Sequence, residues 1–151
     1  MSLVLGLDTS NYTTSAAVFD AKAGVMWQVK QLLPVRKGEI GLRQSDAVFH
    51  HTRQLPDMLE KLAREAGRPL GELTAVAASD RPQQAEGSYM PCFLVGLGAA
   101  RQLAAVMEKP LYRFTHQQGH VAAALYGAGK LLWLEAPFLA FHVSGGTTDA
   151  L

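Results

Sequence analysis

The sequence predicts a mixed α/β fold, one sheet with helices on both faces. Three observations point to it. Leu3–Leu7, Thr14–Phe19 and Val25–Val29 are strand-length runs joined by short polar turns, the pattern of an antiparallel meander. Downstream, segments of helical period alternate with short apolar runs, which calls for strands joined through crossover helices. The first and last apolar runs also end in small polar clusters, Asp8-Thr9-Ser10 and Ser144-Gly145-Gly146.

The elements follow in order. Leu3-Val4-Leu5-Gly6-Leu7 is the first strand, and Asp20-Ala21-Lys22-Ala23-Gly24 turns the second strand into the third. Gln31–Gln44 has no period and holds Pro34, Gly38 and Gly41, so it reads as a loop. Asp46 is the expected N-cap of a long helix carrying Leu55, Met58, Leu59 and Leu62, which Gly67 stops. A strand is expected over Leu73–Ala78, then a polar loop over Ser79–Gly87. Pro91 suits the first turn of a second helix reaching about Glu108, and Lys109-Pro110 breaks it. Leu111–Thr115 reads as a strand, His116–Tyr126 as a third helix, and Phe138–Val143 as a last strand. Residues 1–137 form one lobe in this reading, and 138–151 open a second.

Composition narrows the function classes. A chain of 151 residues supports one domain and buries ~70% of its unfolded surface. Hydrophobic residues at 48% against 18% charged exclude a disordered chain, and a net charge of +1 signals neither nucleic acid nor membrane. The single cysteine, Cys92, excludes an intramolecular disulfide framework and suits a reducing compartment; its apolar setting marks a buried small hydrophobe. No basic segment precedes Asp8, and the apolar stretch Tyr89–Ala100 is broken by Pro91, Gly96 and Gly98. A cytoplasmic protein without membrane contact is expected. The chain stops at Leu151 as a hairpin begins, which reads as part of something longer with an exposed strand able to pair in a dimer.

Three clusters carry chemistry. His116-Gln117-Gln118-Gly119-His120 places two imidazoles at i and i+4 on one helix face, where both reach one metal ion. Gln117 stands where a zinc protease has its glutamate, so no general base follows the first histidine. The plainer reading is two histidines at a helix start. Val143-Ser144-Gly145-Gly146-Thr147-Thr148 follows a strand; paired glycines expose N–H groups to an anion, or simply make a hairpin turn. Asp8-Thr9-Ser10, at a strand end, would line a phosphate or a hydrated metal, or form a polar turn. His50-His51-Thr52-Arg53 reads as a solvated helix face, and His142 alternates with core positions of its strand.

Together these pieces resemble a family. They are Gly6-Leu7-Asp8-Thr9-Ser10, Leu94-Val95-Gly96-Leu97, Lys109-Pro110-Leu111, His116-x-x-Gly119-His120, Pro137-Phe138 and Val143-Ser144-Gly145-Gly146. In this order and spacing the chain resembles the N-terminal lobe of the TsaD/Gcp proteins, once called O-sialoglycoprotein endopeptidases. The resemblance implies a ribonuclease H-like lobe of the actin-like ATPase superfamily. It also implies transfer of a threonylcarbamoyl group from its adenylate to adenosine 37 of tRNA. By the same resemblance His116 and His120 bind iron or zinc with an aspartate from a C-terminal lobe. His142, Val143, Ser144, Gly145 and Gly146 contact the adenylate or ATP, with Asp8 and Ser10 on the same side. Partners implied are tRNA and paralogous subunits of a tRNA-modification complex. The family's acidic pair after the first strand is Tyr12 and Thr13 here, its Gly-Pro-Gly turn is replaced in Asp80–Ala85, and its histidine after Ser-Gly-Gly is Thr147. These differences mark a divergent paralogue.

Three functions follow as expectations. The first is a metal-dependent acyltransferase of the threonylcarbamoyl type, inert as this chain alone. The second is a phosphotransferase or ATPase of the wider superfamily, supported by the glycine turn but not by the histidine pair. The third is a non-catalytic partner paralogue, supported by loss of the acidic pair and opposed by the retained histidines. The older endopeptidase name finds no general base or nucleophile here.

Overall fold

The computed structural model describes residues 2–35, 41–143 and 148–150. Its strands are β1 (Leu3–Asp8), β2 (Thr13–Asp20), β3 (Val25–Leu32), β4 (Ala75–Arg81), β5 (Leu111–Thr115), β6 (Phe141–Val143) and β7 (Thr148–Ala150). Its helices are α1 (Gln44–Ala66), α2 (Phe93–Val106) and α3 (His116–Gly127), with short 3-10 turns at Leu70–Glu72 and Leu131–Glu135. The main sheet runs β3-β2-β1-β4-β5, antiparallel through the first hairpins and parallel from β1 to β4 to β5. This is the mixed sheet that the sequence predicts.

Strand alternation decides the two faces. Leu3, Leu5 and Leu7 of β1 and Ala16 and Val18 of β2 are buried on one face, under α1 and α2. α1 contributes Leu55, Met58 and Leu62 at helical spacing, and α2 contributes the small Ala100 and Ala104, which bring its axis close to the sheet. Gly67 ends α1 in the left-handed region at φ 61, a conformation a Cβ would strain. The other face takes α3: Tyr126 stands edge-on to Phe19 at 5.9 Å and donates to the Gly24 carbonyl.

Several boundaries differ from the sequence reading. α1 starts at Gln44, with Arg43 as N-cap and Asp46 inside the first turn. The Gln44 Oε1 accepts from the Cys92 backbone N–H, and Ala47 is buried beside Cys92 and Phe93. Contact with the start of α2 thus extends the helix past its local capping signal. β3 continues to Leu32. β4 begins at Ala75 and runs through Ser79, Asp80 and Arg81, where a loop was expected. β6 begins at Phe141 rather than Phe138 and pairs with β7 in a separate two-stranded sheet. No described helix is long and apolar enough to cross a membrane.

Candidate functional site

Parallel strands β1, β4 and β5 end on the same side of the sheet, and the polar residues gather there. Leu7 is committed to the core, so alternation turns Asp8 to the opposite face. β4 carries a bulge: Ser79 faces Phe114, Arg81 faces Thr115, and Asp80 is the extra residue. Ser79, still in register before the bulge, shares the face of Asp8, and the bulged Asp80 is met by Arg81 and Arg113, whose guanidinium groups reach its carboxylate at 2.8–3.0 Å. Those hydrogen bonds and charges hold the Asp80 carboxyl below the usual range.

α3 starts with a capping box. The Thr115 hydroxyl accepts from the Gln118 N–H at 3.1 Å, and the Gln118 side chain accepts from the Thr115 N–H at 2.8 Å. The Gln117 N–H donates to the Pro82 carbonyl at 3.1 Å, tying the helix start to the loop after β4. His116 is therefore fixed as the first helical residue, with His120 one turn above it.

The side chains form a connected chain. Asp8 Oδ2 lies 2.8 Å from His116 Nδ1 and accepts from the Ser79 hydroxyl at 2.5 Å. Asp8 Oδ1 accepts from the Ser10 backbone N–H at 2.8 Å. His116 Nε2 and His120 Nε2 are 2.8 Å apart. The ring of His142 lies 5.4 Å from that of His120, and its Nδ1 is buried without a hydrogen-bond partner among the described residues. Phe93 stands edge-on to His116 at 6.3 Å. Burial pushes the Asp8 carboxyl upward; the hydrogen bond and charge of His116, with Ser10 and Ser79, outweigh it and hold the group well below the carboxylate range. Burial, then the neighbouring His116 and His142, push His120 down.

The structure thus brings Asp8, His116, His120 and His142 together. Ser10 is buried beside them, and Val143 is exposed on β6. Ser144, Gly145, Gly146 and Thr147 lie outside the described residues. Sequence reasoning missed Ser79, although Ser79-Asp80 closes an apolar strand as Asp8-Thr9-Ser10 does. It also placed His51 on a solvated face. His51 is fully buried, its Nδ1 2.7 Å from the Thr14 hydroxyl, because it falls in the stripe Ala47, His51, Leu55, Met58, Leu62. Cys92 is buried as expected, and burial raises its thiol.

The family model described as "tRNA N6-adenosine threonylcarbamoyltransferase", TsaD, matches residues 36–151. The chain belongs to the TsaD family. A TsaD-family relative from Magnetococcus marinus, named tRNA N6-adenosine threonylcarbamoyltransferase, is 30% identical over 98% of this chain and 43% of its own length. A relative of the same name from Halalkalibacterium halodurans is 31% identical over 99% of this chain and 41% of its own. This chain therefore spans about two fifths of the curated TsaD relatives it matches. Among solved structures, a Pseudomonas aeruginosa protein with similarity to peptidase YEAZ superposes at TM-score 0.60, with 18% identity, over 100% of this chain and 64% of that one. YeaZ from Pseudomonas aeruginosa superposes at TM-score 0.54, with 23% identity, over 76% of this chain and 45% of that one. At those identities the likeness concerns the fold: a ribonuclease H-like, actin-like lobe, as the sequence predicts.

Proposed function

We propose that this chain is the N-terminal lobe of a metal-dependent acyltransferase, which transfers threonylcarbamoyl from its adenylate to adenosine 37 of tRNA. The observation that carries the reading is the histidine pair. Two Nε2 atoms 2.8 Å apart are within reach of one ion at metal–nitrogen bonds of ~2.1 Å. The donor set fits iron or zinc, both of which take imidazole nitrogen. Among the described residues no group of three His, Cys, Asp or Glu is arranged to hold a metal ion. Further ligands would come from outside them, as the two-fifths coverage of the longer relatives allows.

His116 and His120 would hold the ion, which supplies Lewis acidity toward carbamoyl or phosphate oxygens. The residues around them do the positioning. Asp8 holds His116 at Nδ1, Ser79 holds Asp8, and Phe93 packs edge-on to the imidazole ring. By its paired glycines the segment Ser144-Gly145-Gly146 would take the adenylate phosphate, and Ser10 and His142 would contact the same ligand. Transfer breaks the bond from the carbamoyl carbon to the adenylate phosphate oxygen, which leaves with the electron pair as AMP, and forms a bond from that carbon to adenosine N6, whose proton passes to AMP or to water. Holding both reactants in line supplies most of the rate effect.

The test is threonylcarbamoyl transfer by the full-length protein to unmodified tRNA. His116→Ala and His120→Ala are each expected to lower the rate at least about 100-fold in folded protein, with loss of bound metal. Undiminished transfer by either variant contradicts the proposal. ATP hydrolysis without any transfer to tRNA would instead favour the phosphotransferase reading.

A further inference from the structure

Asp8 stands at a strand end beside an open cleft, where it would be expected to meet a ligand. The geometry gives it other work. Oδ1 is taken by the Ser10 N–H, and Oδ2 by the Ser79 hydroxyl and His116 Nδ1. An ionised carboxylate only accepts hydrogen bonds, so the imidazole nitrogen facing it must carry the proton. We infer that Asp8 is the positioning residue of this site, fixing His116 as the Nδ1–H tautomer so that the Nε2 lone pair faces His120.

The inference rests on the proposed metal site for its purpose, but not for its chemistry. Asp8 is itself anchored on both sides. Leu7 is buried in the core on β1, and Ser79 reaches across from the neighbouring strand β4. The capping box fixes the backbone of His116, so the carboxylate meets a ring whose origin cannot drift. The ring is then held by Asp8 at Nδ1 and by Phe93 at its edge, and only Nε2 is left to do chemistry. A histidine held in this way is oriented and more basic toward a metal than a free one. Ser79 reaches Asp8 by plain strand alternation: Leu7 and Ala78 are register partners buried in the core, so the next residue on each strand, Asp8 and Ser79, turns to the opposite face.

Histidine side-chain 15N NMR of the metal-free 151-residue chain, which distinguishes a proton on Nδ1 from one on Nε2, tests this at a pH of about 8. The expected result is an Nδ1–H His116 in the wild-type chain, loss of that preference in Asp8→Ala, and its return in Asp8→Glu. His51 is the internal reference for folding, since Thr14 holds it elsewhere in the core. An Nε2–H His116 in the wild-type chain overturns the inference whatever the variants do. An Nδ1–H form that survives in folded Asp8→Ala overturns it as well. A second arm titrates Zn2+ into the same chains, with affinity expected to fall about 10–100-fold in Asp8→Ala and to recover in Asp8→Glu. Full affinity in the alanine variant contradicts the positioning role. If the tautomers behave as expected and even the wild-type chain takes up no Zn2+, the metal reading fails and the assignment of Asp8 stands.

Discussion

Thr14, His51 and Gln54 form a hydrogen-bonded trio between β2 and α1. The Thr14 hydroxyl donates to Gln54 Oε1 at 2.8 Å, so it accepts from His51 Nδ1, and His51 Nε2 is left buried without a partner among the described residues. Burial pushes His51 down to about 4; His50 adds to the shift, and the charge of Asp8 opposes it. The sign follows from linkage. Between pH 6.5 and about 4 the unfolded chain binds a proton at this position that the folded chain refuses, so stability falls as pH falls through that window. The contribution is roughly 3 kcal/mol at most. Urea unfolding at both ends of the window should show a larger loss for wild type than for His51→Leu. The comparison with His51→Leu matters because His120, lowered for the same reason, acts with the same sign. A second residue-scale test concerns Gly96, whose N–H donates to the Thr9 hydroxyl at 2.9 Å. A Cβ there would lie 2.9 Å from Thr9 Oγ1, itself held by the Cys92 carbonyl. Gly96→Ala is therefore expected to cost about 1–3 kcal/mol in chemical denaturation. The histidine pair at 116 and 120 was legible from spacing alone. His51 was not, because a polar residue in an apolar stripe is indistinguishable from a surface one until its partner, here Thr14, is known.

The elements at the site differ in how local their causes are. α3 is set by its own sequence, since Thr115 and Gln118 exchange hydrogen bonds three residues apart. Its start was accordingly readable before any tertiary structure. Thr115→Ala should lower stability by about 1 kcal/mol and weaken metal uptake at His116, since the first turn then frays. Uptake unchanged in a destabilised variant would show that the cap does not position the histidine. The end of β4 and the start of α1 have distant causes instead. Ser79 and Arg81 look like loop residues, yet β5 pairs with them through Phe114 and Thr115, with Asp80 bulged between them. Gln44 looks like the end of a loop, yet its side chain holds the start of α2. A local signal such as Asp46 cannot report contacts with residues nearly fifty positions away.

At the scale of the whole molecule, the two faces of the sheet are unequal. One is closed by α1 and α2; the other carries α3 and an open groove of about 830 Å3, lined by Gly6, Ala17, Phe19, Met26, Ala77 and Tyr126. The candidate site lies at the polar end of that groove, where Asp8, His116 and His120 line its wall. The hairpin of β6 and β7 forms a sheet of its own, with Phe141 and Val143 exposed. We propose that this hairpin opens a second lobe, and that the 151-residue chain alone does not transfer threonylcarbamoyl. Turnover by the isolated chain in the tRNA assay would place a complete site within it. Titrating Zn2+ into the chain while following histidine 15N shifts tests whether His116 and His120 share one ion. His116 and His120 Nε2 are expected to shift together with a single dependence on Zn2+, while His50 and His51 stay in place. A response confined to one histidine, or to exposed sites away from Asp8, would contradict a shared metal site at the start of α3.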